Sequence, residues 1–171
     1  MGIAGGIAPA DSCCLANIAA CKAHHVPVIV DPKGTNWMKY AGADYITPNL
    51  KEINAVLPDP IRNEDQPVEQ AACDVMKRFH LGSIIVTRSE AGLSFIREEE
   101  IEHIPTKAQE VFDVSGAGDT VIAVFAMGIA GGIAPADSCC LANIAAGVVV
   151  AKLGTYAVSR EELLKALEKE K

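Results

Sequence analysis

Residues 113–120 (DVSGAGDT) concentrate the residue types that handle a phosphoryl group. Gly116 and Gly118 permit tight backbone curvature and close approach by a ligand. The apolar residues that follow start a helix, whose unpaired N–H groups and dipole favour an anion. The run therefore reads as a phosphate cradle. It lacks the lysine of a Walker loop, and G-x-x-x-x-G-K-[ST] occurs nowhere in the chain, which leaves the P-loop families unsupported. Asp119 is the odd member, because a carboxylate repels phosphate. It is tolerable there if it takes a proton from an attacking hydroxyl, and helix N-terminal N–H groups would keep it ionised. An ordinary helix N-cap is the other reading, and spacing does not separate the two. Asn49 and Glu52 have the three-residue spacing that places both side chains on one helical face. The same spacing satisfies a capping box.

These residues need elements to position them. Residues 26–31 (VPVIVD) form a short apolar run suited to a strand buried on both faces of a parallel sheet, and residues 44–48 suggest a second strand. Asn49 opens a helix that should end before Pro58. Residues 68–80 have the pattern of an amphipathic helix stopped by Gly82. Residues 83–88 (SIIVTR) are the clearest buried strand, and residues 93–96 and 102–105 suggest a hairpin around the turn 97–100. A helix over 119–131 and another over 135–152 follow, and Ser159 with Glu162 three residues on starts a last helix. Strands alternating with helices predict an α/β layered fold. Ligands in such folds gather at the carboxyl ends of the strands, where Asp31, Asn49 and Arg88 fall.

Residues 1–20 (MGIAGGIAPADSCCLANIAA) recur letter for letter as residues 127–146. Diverged repeats keep pattern and turn residues rather than every letter, and no third copy exists, so a solenoid is not indicated. The second copy sits in smooth context, whereas the first meets residue 21 abruptly. We read the first as the foreign copy, arising by recent duplication, assembly accident or engineering. The expectation is a helix from about Pro9 that takes the place of one the parent protein had there, with the functional unit at 21–171.

The DVSGAGDT run, the later LANIAAGVVVAKLGT, and the upstream DPKG (31–34), TPNLKE (47–52) and VTRSEAGL (86–93) together resemble the ribokinase-like (PfkB) carbohydrate kinases. Within them they look most like the branch acting on heptose 7-phosphate in ADP-heptose synthesis. The resemblance implies a three-layer fold with a parallel-rich central sheet and helices on both faces, and ATP-dependent phosphorylation of a sugar hydroxyl. It implies Asp119 as general base, with Gly116, Ala117 and Gly118 supplying amides to the transferring phosphoryl group. It links Asn49 and Glu52 to Mg2+ and phosphate placement, Glu52 acting through water. It puts Asp113 and Ser115 in a loop that binds a monovalent cation such as K+ in many relatives. Lys33 becomes either a phosphate contact or a solvated loop lysine. Thr87 and Arg88 end a strand on the nucleotide side, with Gly92 retained beyond them. Asn143 and Gly147 lie on the helix beside the adenine pocket, although a buried Asn143 with only structural hydrogen bonds fits equally. The resemblance covers the C-terminal half of such kinases. The expectation is therefore a chain without the sugar-binding half, impaired alone, and either homo-oligomeric or completed by a separate N-terminal half. Its ligands would be a nucleotide and a sugar phosphate. Another PfkB sugar or nucleoside kinase, or a non-catalytic fragment or scaffold, is the alternative.

Composition narrows the classes further. The chain has 171 residues and a formal net charge of -7 without a dense basic run, which argues against a nucleic-acid binder. The apolar start lacks the basic residues of a secretory signal. Residues 120–136 are apolar but bounded by Asp119 and Asp137 and broken by Gly131, Gly132 and Pro135, so a buried helix and turn are expected rather than a membrane span. None of the six cysteines forms a C-x-x-C pair, which suggests reduced thiols and a cytoplasmic setting. Cys21, His24 and His25 cluster near a helix end, where solvated histidines compete with a metal site lacking a fourth ligand.

Overall fold

The computed structural model describes residues 9–106 and 112–169. Five strands form one mixed sheet in the order β1 (Ile29–Val30), β2 (Tyr45–Ile46), β3 (Ile84–Thr87), β4 (Leu93–Arg97) and β5 (Glu100–Ile104). Strands β1, β2 and β3 run parallel, through the pairs Val30–Ile46 and Ile46–Ile84. Strands β4 and β5 are antiparallel additions, so the parallel character belongs to the first three strands. The β4–β5 turn is tighter than the sequence suggests, because Arg97 already pairs with Glu100.

Alternation along the strands sorts the apolar side chains into two cores. Ile46, Ile84, Val86 and Ile96 face one way. They pack with Trp37, Ile53, Val68, Val75 and Phe79, and with Ile18 of α1 (Pro9–Ala23). Ile53 belongs to α2 (Leu50–Asn54), and Val68, Val75 and Phe79 to α3 (Asp65–Phe79). Tyr45, Ile85, Leu93 and Phe95 face the other way. They meet Val121, Val124 and Phe125 of α4 (Ala117–Ala130) and Cys139, Ala142 and Ala145 of α5 (Pro135–Val150). The outermost helix is α6 (Arg160–Glu168), whose N-cap Ser159 completes a capping box with Glu162.

Two boundaries and one added turn differ from expectation for local reasons. β1 spans two residues, because Pro27 and Pro32 flank it and proline has no N–H to donate. α3 stops at His80, which adopts the left-handed conformation (φ 57°) two residues before Gly82. Gly82 instead lies so close to the Asp44 backbone that a Cβ would sit 2.7 Å from the Asp44 carbonyl oxygen. A 3-10 turn, Trp37–Tyr40, buries Trp37 completely and ties its indole N–H to the Gly34 carbonyl at 2.9 Å. No helix among the described residues is long and apolar enough to cross a membrane.

Candidate active site

The carboxyl ends of the three parallel strands and the N-termini of α2 and α4 converge on one cleft of about 130 Å³. Asp31 and Lys33 enter from the loop after β1, and Thr47, Asn49 and Glu52 from the β2–α2 junction. Thr87 ends β3, and Gly116, Gly118 and Asp119 come from the start of α4.

The α4 start has the geometry of an anion cradle. Gly116 is the N-cap with φ 80°, a conformation open to glycine at little cost. Its carbonyl accepts both the amide (2.9 Å) and the hydroxyl (2.8 Å) of Thr120. The Ala117 amide reaches the Val114 carbonyl at 3.3 Å. Among the described residues the amides of Gly118 and Asp119 meet no backbone acceptor. No heavy atom outside its immediate neighbours comes within 4 Å of where a Gly118 Cβ would be, so this turn faces open space. Asp119 is exposed and lines the cleft.

Opposite stands a charged trio. The Lys33 ammonium lies 2.9 Å from Asp31 and 3.1 Å from Glu52. Its hydrogen bond to Asp31, then that to Glu52, raises its pKa above the usual lysine value. The other Glu52 oxygen accepts the Asn49 amide (2.9 Å), and the Asn49 side chain accepts the Glu52 amide (2.8 Å), so the capping box forms. Asp31 and Glu52 are hard oxygen donors that already hold a cationic group between them, a donor set suited to Mg2+. Among the described residues no group of three or more His, Cys, Asp or Glu side chains could hold a metal ion. The exposed His24 and His25 belong to no such group.

Asp113 and Ser115 lie beside the cradle. The Asp113 carboxylate accepts the amides of Ser115 (2.8 Å) and Gly154 (3.1 Å), tying the α4 entry to the loop after α5. The Ser115 backbone bond foremost, then its side chain and the Gly154 amide, hold this carboxyl below the usual aspartate range.

Four residues expected near the nucleotide lie outside the cleft. Arg88 points to the opposite face of the sheet from Thr87, and its guanidinium is buried among Asn63, Asp65 and Ser94. Gly92 adopts φ 83°, and a Cβ there would collide with the backbone of residues 104–106. Asn143 donates to the Pro105 carbonyl at 2.7 Å, a structural hydrogen bond. Gly147 is half-buried within α5. Thr47 was not apparent from sequence. Its hydroxyl donates to the Val30 carbonyl at 3.3 Å at the cleft floor, and its signals were a polar residue ending an apolar strand and its place at the head of the TPNLKE stretch.

A sheet whose parallel strands end at a glycine-cradled helix start, with an exposed carboxylate at that start, defines a class. Residues 5–162 match the model of the pfkB family carbohydrate kinases, and the chain belongs to that family. The bifunctional protein HldE of Vibrio vulnificus is 48% identical over 151 residues, covering 88% of this chain and 31% of that protein. HldE of Trichlorobacter lovleyi is 49% identical over 147 residues, 85% of this chain and 30% of that one. The chain thus spans about a third of the length of the curated relatives it matches. The crystal structure of ribokinase from Thermotoga maritima superposes with a TM-score of 0.77 at 27% identity, over 89% of this chain and 52% of that one. Arabidopsis thaliana ribokinase, solved with ribose and ATP, superposes with 0.82 at 24% identity over 92% and 53%. The fold is ribokinase-like.

Proposed function

We propose that this chain forms the nucleotide-phosphate side of an ATP-dependent sugar kinase whose substrate is a heptose 7-phosphate. One observation carries the reading: the Gly116–Gly118 turn and Asp119 share a cleft with Asp31, Lys33, Asn49 and Glu52, residues distant in sequence. The curated HldE relatives support the heptose branch.

In this reading the γ-phosphate of ATP sits against the free amides at the α4 start. Asp119 accepts the proton of the sugar hydroxyl as that oxygen attacks the γ-phosphorus. The new O–P bond forms as the bond from the γ-phosphorus to the bridging oxygen breaks, and ADP leaves with the electron pair. The amides meet the charge that spreads onto the equatorial oxygens, where such stabilisation contributes most. Lys33, released from its carboxylates, pairs with a phosphate. A Mg2+ held by Glu52 and Asp31, partly through water, would neutralise phosphate charge. Asp113 and Ser115 shape the cradle's flank, where a K+ would act through the backbone.

Residues 21–171 are the nucleotide half in this proposal, and residues 1–20 are a duplicated segment outside the catalytic unit. In this proposal the chain binds MgATP, and positioning the sugar against it contributes up to about 7–11 kcal/mol. Calorimetry with MgATP tests the first part. With the sugar-binding half present, Asp119→Asn should lower kcat roughly 10²–10⁴-fold while MgATP affinity holds. Activity retained in that variant would remove Asp119 as the base. The letter-for-letter recurrence of residues 1–20 as 127–146 favours a second reading, a folded scaffold without turnover. Absence of MgATP binding, with an oligomeric profile on a sizing column, would select it.

A further inference from the structure

Arg88 is the most deeply buried charge described, with 2% of its side chain exposed, and the phosphate chemistry does not use it. Its Nε donates to the Asn63 side-chain oxygen at 2.9 Å. One terminal nitrogen donates to Asp65 (2.6 Å) and to the Ser94 hydroxyl oxygen (2.9 Å), and lies 3.3 Å from His103 Nδ1. Guanidinium has only donors, so the Ser94 oxygen accepts from it, and His103 Nδ1 lies 2.8 Å from the same oxygen. A carboxylate only accepts, so His103 Nε2 donates to Glu69 at 2.8 Å. Ser94, His103 and Glu69 have the side-chain types and spacings of a hydrolytic triad. Ser94, however, is fully buried and its oxygen takes an Arg88 N–H, so no substrate reaches it. The array holds Arg88.

Arg88 in turn holds the backbone at the cleft edge. Thr87, one residue earlier, lines the cleft, and its amide donates to the Pro48 carbonyl at 2.9 Å. The Arg88 amide donates to the Gly92 carbonyl (2.8 Å), and the Asn63 amide group donates to the Arg88 carbonyl (3.0 Å). Asn63 therefore grips Arg88 at both backbone and side chain. Between them Ser89 adopts φ 51° without being glycine, a conformation that persists only where its surroundings impose it.

We propose that Arg88 is a positioning residue. Its buried guanidinium fixes the 87–92 turn, and through it the Thr87 wall of the phosphate cleft. Nucleotide affinity then depends on a side chain that never reaches the nucleotide, a consequence that rests on the kinase reading above.

Two variants test this in the chain as it stands. Arg88→Lys keeps the charge and loses the planar fork. Asp65→Ala removes an acceptor that is 63% exposed and leaves both cores untouched, so it folds even if the first variant does not. Amide hydrogen exchange at Thr87, Arg88 and Gly92 should rise about tenfold in either variant, while amides of α4 and α5 keep their protection. The MgATP Kd should rise about fivefold to tenfold, with Asp65→Glu recovering most of the loss. Unchanged exchange across 87–92 would overturn the proposal, and so would loosened exchange with unchanged affinity. A wild-type chain that binds no MgATP, while Asp65→Ala still loosens 87–92, would sink the kinase reading and leave the clamp standing.

Discussion

Helices α1 and α5 carry the same twelve residues, 9–20 and 135–146, yet they bury different faces. In α5 the side chains of Ser138, Cys139, Ala142, Asn143 and Ala145 are buried, where they meet α4 and the sheet. Their counterparts in α1, Ser12, Cys13, Ala16, Asn17 and Ala19, are exposed. Ile18 reverses the pattern, buried at 6% beside the Trp37–Tyr40 turn, whereas Ile144 is half-buried. Asn143 donates to a backbone carbonyl at 2.7 Å, while among the described residues Asn17 donates to the Cys13 sulfur at 3.7 Å. Identical local propensities make the same helix twice, and the surface each meets decides which side becomes core. Helix formation here is a local property; facing is not.

The pair can be broken site by site. Ala142→Leu should cost about 3 kcal/mol by overpacking the α4–α5 contact, and Ala16→Leu nothing measurable, as chemical denaturation of each variant would show. Asn143→Ala should cost about 2 kcal/mol, because it strips the Pro105 carbonyl of its partner, against less than about 0.5 kcal/mol for Asn17→Ala. Thiol labelling sharpens the contrast without mutation. Cys13 is exposed and should react with a disulfide reagent in the native state. Burial leaves Cys139 fully covered and pushes its thiol far above the usual range, so it should react only on unfolding.

The smallest effect is pH-dependent and confined to the α5 side, where α6 packs. Hydrogen bonds from the Ser159 amide first, then from the Tyr156 and Ser159 hydroxyls, lower the Glu162 pKa from 4.5 to about 2. A depressed carboxyl contributes stability that is full above its unfolded pKa and disappears as pH falls through the folded one. The Tm should therefore decline between about pH 4.5 and 2, with that part of the decline flattened in Glu162→Gln.

Local chemistry was legible and direction was less so. The glycine turn at 116–118 that starts α4 and the capping boxes at Asn49–Glu52 and Ser159–Glu162 rest on spacing alone, and the structure contains these local geometries. The Trp37–Tyr40 turn escaped notice because four residues of 3-10 helix carry no repeating period. The β4–β5 hairpin was legible from its turn, but that β4 runs antiparallel to β3 is a pairing no single strand encodes. The Lys33 trio joins side chains 19 residues apart, beyond the reach of any local pattern. Arg88 is different, since its direction could have been read. Thr87 and Arg88 are consecutive at a strand end, and consecutive strand residues face opposite ways.

The brevity of β1 affects how the molecule behaves in crowded solution. Among the described residues only β2 pairs with this strand, so its outer rim is the natural place for another polypeptide to add on. Two residues between prolines offer such a newcomer little length and few donors, which makes fibre-like stacking through this rim unfavourable.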